Sequence, residues 1–123
     1  MAGSAMVFTE ITHTSAKKIV AAWTSDNATG AVSGTTTAAF DGAIIGLTTI
    51  PGAGAAAPDD NYDVAITDVD GHDVLLGAGA NRDTLNTEHV TSATLACVAG
   101  SKLTVAITNA GNANTGTVIL WVR

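Results

Sequence analysis

Apolar side chains in this chain recur with a period of two, in short segments broken by turn residues, and that pattern confines the chain to β-structure. Residues 102–108, KLTVAIT, put Leu103, Val105 and Ile107 on one face. Residues 62–68, YDVAITD, alternate Tyr62, Val64 and Ile66 with Asp63, Ala65 and Thr67. Residues 116–123, GTVILWVR, set Val118, Leu120 and Val122 against Thr117, Ile119 and Trp121. Successive side chains of a strand point to opposite sides of the sheet, so each segment has one face to bury. In 116–123 the second face is partly apolar as well. That strand is expected to lie between two layers or to offer its outer face to another subunit. Since the pattern runs to Arg123, this end of the sequence is expected to be held in a sheet.

The remaining segments carry the same signal less cleanly. Residues 6–13, MVFTEITH, and 17–25, KKIVAAWTS, are rich in β-formers, although Ile19, Val20 and Trp23 also fit one face of a helix. Residues 25–34 are polar and predict a loop with at most a short edge strand. Residues 35–50, TTTAAFDGAIIGLTTI, predict a hairpin, with Asp41-Gly42 as its two-residue turn of positive φ. Residues 51–60 hold both prolines and predict a long connection. Residues 73–77, DVLLG, are the expected partner of the strand at 62–68, and 78–88 are rich in turn residues. Residues 89–98, HVTSATLACV, predict a further strand, with a helical turn tolerated in TSATLAC, and 109–116 an uncharged loop. About eight short strands predict an all-β fold, an antiparallel β-sandwich or jelly-roll-like barrel, as a single domain over residues 1–123.

Charge narrows the function. Only 13% of residues are charged, the formal net charge is −6 and the pI is near 4.6. Nucleic-acid binding needs a basic footprint, and Lys17, Lys18, Arg82, Lys102 and Arg123 make no stripe beyond the first pair. No apolar run approaches the roughly 18 residues of a membrane span, and the first ten residues lack the regions of a signal peptide. Neither a nucleic-acid nor a membrane partner is expected. Cys97 is the one cysteine, so no intrachain disulfide is required. A chain this poor in charge is expected to cover part of its surface with copies of itself or with a larger body.

Six of the eleven carboxylates crowd into residues 59–73: Asp59, Asp60, Asp63, Asp68, Asp70 and Asp73. The run Asp68-Val69-Asp70-Gly71-His72-Asp73 has the alternating acids and central glycine of a calcium loop. Counted from Asp68, however, glycine falls at position 4 instead of 6, and position 12 is Gly79 where an EF-hand has a bidentate glutamate. The EF-hand is excluded; Asp68, Asp70 and Asp73 remain the candidates for a looser cation site. A turn explains the run better, with Asp68 accepting from the backbone two residues on and Gly71 at positive φ. Paired catalytic carboxylates need a cleft and partners from distant parts of the chain, which neighbours on one turn do not supply. Asp59, Asp60 and Asp63 have no turn to explain them and are expected to keep the surface soluble.

No other motif stands out. His13, His72 and His89 have no zinc spacing, Cys97 reads as a small core residue, and no Gly-x-Ser-x-Gly is present. Trp23 and Trp121 are expected to be core or interface anchors. Neither a catalytic residue nor a cofactor is expected, so the chain does not read as an enzyme.

Three stretches together, KKIVAAWTS (17–25), NYDVAITDVDGHDVLLGAGANR (61–82) and SKLTVAITNAGNANTGTVILWVR (101–123), resemble small virion proteins of tailed bacteriophages. The middle one is the most specific, through Tyr62 to Val64, Asp68 to Gly71, Asp73 to Leu75 and Gly79 to Arg82. The resemblance covers about half the chain and implies a β-rich, non-catalytic protein carried in many copies. It implies capsid decoration, or cement: a homo-oligomer, with a trimer favoured, that binds the major capsid protein on the virion surface after synthesis in the bacterial cytoplasm. No binding residue carries over. Two other classes stay open, a tail, fibre or head-completion component, and a β-sandwich module that binds carbohydrate or calcium.

Overall fold

A computed structural model describes residues 5–12, 15–91 and 95–123, with Ala99 described through its backbone alone. Nine strands occur among these residues: β1 (Ala5–Thr12), β2 (Lys17–Thr24), β3 (Val32–Thr35), β4 (Phe40–Pro51), β5 (Asp63–Thr67), β6 (Glu88–Thr91), β7 (Cys97–Ser101), β8 (Thr104–Thr108) and β9 (Thr115–Val122). The one helical element among them is a 3-10 turn, Gly54–Ala56, in the connection at 51–60. The fold is all-β and antiparallel, as the alternation predicts, and one sheet curls strongly into half a barrel.

The larger sheet has the order β1-β2-β9-β4-β6, with β7 also pairing β4. The smaller runs β3-β8-β5. Their inner faces share a core. Ile19, Ala21 and Trp23 from β2, Val118, Leu120 and Val122 from β9, and Ile44 and Leu47 from β4 meet Val105 and Ile107 from β8 and Val64 and Ile66 from β5. Burying each such aliphatic side chain contributes on the order of 1.5–3 kcal/mol, and alternation places them all on one side. Glu10 ties β1 to the β3–β4 connection, its carboxylate accepting from the Thr37 and Ala38 N–H groups at 2.9 and 2.8 Å. At the far end of β9, Arg123 exchanges both backbone hydrogen bonds with Ala43, at 2.8 and 2.9 Å.

Four expectations need correction or refinement. Residues 17–24 form a strand, and Ile19 and Trp23 lie on its buried face with Ala21. Residues 35–50 are not a hairpin. Strand β4 runs straight through Asp41-Gly42, and the glycine, at φ 122°, sits where the ladder with β7 shifts register. The conformational freedom of Asp41-Gly42 serves a bulge, because the flanking segments find better partners elsewhere: β3 pairs β8, and β4 pairs β9. Residues 73–77 are not a strand either. Only Thr67 and Asp73 bridge, the chain then turns, and the ladder partner of β5 is β8. Finally, 89–98 divides into β6 and β7, which follow one another along the same edge of β4. Residues 92–94, within the helical turn tolerated there, lie outside the described residues.

Candidate functional site

The acidic segment leaves β5 and returns along its outer edge. The Asp68 N–H donates to His72 O at 3.1 Å and the Gly71 N–H to Asp68 O at 3.0 Å, with Gly71 at φ 81°. Asp68 Oδ1 accepts from the Asp70 and His72 N–H groups, both at 3.0 Å. Asp73 works in the next turn. Its Oδ1 accepts from Leu75 N–H and its Oδ2 from Gly77 N–H, both at 3.0 Å, with the Ile66 N–H farther at 3.4 Å. Asp83 repeats the device, Oδ1 accepting from Leu85 N–H and Oδ2 from Asn86 Nδ2, each at 2.8 Å. The Asn86 amide, and then the Leu85 N–H, hold the Asp83 carboxyl below the usual carboxylate range.

Of the three cation candidates, Asp68 and Asp70 share one turn while Asp73 spends both oxygens on backbone N–H groups of the next. No three His, Cys, Asp or Glu side chains converge on a metal-sized space among the described residues. Asp63, unexplained by turn geometry, proves to be a staple: Oδ1 accepts from Asn81 N–H at 2.9 Å and Oδ2 from Asn109 Nδ2 at 2.6 Å. It joins two loops that are distant in sequence. Asp59 lies against Gly111, where a Cβ would meet its carboxylate at 2.6 Å.

Each of the three turn-building aspartates is followed by an outward-facing aliphatic side chain. Val69 is 75% exposed, Leu76 57% and Leu85 80%. Leu76 holds a φ of 51°, a left-handed conformation that costs a branched side chain energy, while Val74 and Leu75 just before it are fully buried. Asp73 bridges Leu76 with hydrogen bonds on both sides and sustains that geometry.

Beneath this segment Tyr62 packs on Trp23, ring centroids 5.6 Å apart and planes tilted by 50°. The Tyr62 hydroxyl, Thr49 Oγ1 and Trp23 Nε1 are buried without a formed hydrogen bond among the described residues. Burial, the largest influence, raises the Tyr62 pKa above its ordinary 10.0, with the Glu88 and Asp83 carboxylates adding to the rise and Thr49 and Arg82 opposing it. Of the other single residues, His89 Nδ1 pairs with Thr48 Oγ1 at 2.8 Å, His72 is exposed and His13 lies outside the described residues. Cys97 is exposed, not in the core: Val98 takes the inward position of β7 and alternation turns its neighbour out.

The second surface is the outer face of the larger sheet. Strand register lays its side chains in rows: Val7–Ala22–Thr117–Ile50, then Thr9–Val20–Ile119–Thr48, then Ile11–Lys18–Trp121–Gly46. The Trp121 ring lies over Gly46, where a Cβ would meet Cε3 at 3.2 Å. Val7 is 66% exposed, and Val20, Ile119 and Trp121 are half-buried on a single chain. Sequence reasoning found this face on β9 alone; Val7, Ile11 and Val20, at the alternate positions of 5–12 and 17–24, carried the same signal. Comparisons with family models, curated proteins and solved structures give no match. Fold and surface therefore define an all-β protein whose acids shape turns and whose broad sheet face is apolar.

Proposed function

We propose that the protein is a non-enzymatic structural component of a tailed-bacteriophage virion, a decoration or cement protein that binds the assembled major capsid shell as a homo-oligomer. One observation carries the proposal: apolar side chains left outside the core gather on an open sheet face and at three loop tips. The outer sheet face is open to the surroundings of the chain and the tips at Val69, Leu76 and Leu85 are exposed, while Asp68, Asp73 and Asp83 shape the turns behind those tips. The stretches at 17–25, 61–82 and 101–123 that resemble phage virion proteins include β2 and β9 of the sheet face and the Val69 and Leu76 tips. A protein that binds only the assembled shell stabilises that shell by mass action, and repetition over the lattice multiplies weak contacts. The resemblance implies a position on the outside of the capsid after synthesis in the bacterial cytoplasm.

The test is to mix purified protein with undecorated phage heads and image them by electron microscopy. Ordered density repeated over the capsomers, with a raised temperature of shell rupture, is the expected result. Density confined to the tail or portal would identify a tail or head-completion component instead, and no binding would sink both. Melting with calcium and with chelator addresses the calcium-binding alternative; a shift of several degrees would support it, and an unchanged Tm is expected.

A further inference from the structure

We infer that the outer face of the larger sheet is an isologous interface that holds two copies of this chain back to back. The inference is independent of the capsid reading and rests on charge and shape. Each chain carries a formal charge of −6, yet Lys18 is the one residue of formal charge in the three rows of this face and no carboxylate projects from them. Glu10 turns to the Thr37 and Ala38 N–H groups, and Glu88 to Asp83 N–H and Arg82. Two identical acidic chains repel least when they meet on such a face.

Shape then selects a second copy over an unrelated body. In the row Thr9–Val20–Ile119–Thr48 the bulky side chains are the central pair, which makes a ridge. In the adjacent row the central pair, Ala22 and Thr117, is small, and flanking Val7 and Ile50 leave a recess over it. A ridge beside a matching recess is self-complementary. A two-fold axis in the plane of the interface, running between the two rows, seats each copy's Val20 and Ile119 over the other's Ala22 and Thr117. The result is aligned face-to-face sheet packing, a layer roughly 10 Å thick.

Light scattering coupled to size exclusion tests the contact on the full chain, whose mass is 12.2 kDa. The wild type is expected at twice that mass, and Ile119→Lys at the single mass with its far-ultraviolet circular dichroism unchanged. Since a lysine at half-buried Ile119 can disturb folding, Val7→Lys, at a position already exposed on the same face, provides a second break, also expected to halve the mass. Val69→Lys, on the acidic segment, is expected to leave the dimer intact. A monomeric wild type, a trimer, or a dimer that survives both face variants in folded form would overturn the inference.

Discussion

At the scale of single residues, buried polar groups and their partners decide most outcomes. Asp73 accepts two backbone N–H groups of one turn and lies near a third on β5. Asp73→Ala is expected to cost about 1–2 kcal/mol in denaturant unfolding, and Asp73→Asn, which keeps one acceptor, less. A cation-binding role would instead make the loss depend on calcium. Tyr62 makes the opposite case. Its hydroxyl is buried without a formed hydrogen bond, so Tyr62→Phe is expected to leave stability at neutral pH within ~0.5 kcal/mol of wild type or to raise it. The variant also has a pH signature. The unfolded chain ionises near the ordinary 10.0, while burial keeps the folded hydroxyl protonated to higher pH. Stability from this group is therefore complete below pH 10 and is lost as pH rises toward the folded-state pKa. Unfolding at a series of alkaline pH values should show a shallower decline for Tyr62→Phe, and an unchanged slope would exclude Tyr62 as its source.

At the scale of elements, small residues mark where strands or rings come close. Gly116 on β9 faces the indole of Trp23, its cross-strand partner on β2, and a Cβ there would overlap Cζ2 and lie 2.7 Å from Cε2. Trp23 is buried and its ring lies directly against this position, so Gly116→Ala is expected to lower stability by about 1–3 kcal/mol, read from the denaturant midpoint. The existence of β5, β8 and β9 was legible because period-two alternation in 62–67, 103–108 and 116–122 has one physical meaning when a core is to be covered, whereas Ile19, Val20 and Trp23 in 17–24 fit a helix face as well. The path of β4 was not. Asp41-Gly42 offers the same backbone freedom to a hairpin turn and to a bulge, and only the competition among partner strands separates them. Val74 and Leu75 misled for a related reason. They are buried as strand residues are, but the left-handed pair at Leu76 and Gly77 ends the extended run.

At the scale of the whole molecule, low charge and a broad apolar sheet face act together. Screening of the −6 charge should tighten back-to-back pairing, so the dimer is expected to strengthen as salt rises, measured by sedimentation equilibrium; weakening would point to an ion-paired contact elsewhere. The sequence by itself determined the all-β class, the inward faces of β5, β8 and β9 and the Asp68–Gly71 turn, because these depend on side-chain alternation and on hydrogen bonds within a few residues. Of the acidic segment it disclosed the turn but not the staple that Asp63 makes to Asn81 and Asn109, nor the aliphatic tips. Tertiary structure alone decided which strands pair, that β6 and β7 share one edge of β4, and that Val20, Ile119 and their neighbours line up across four strands on an uncovered face. Those facts depend on contacts between residues up to about a hundred positions apart, whose energies local sequence does not contain.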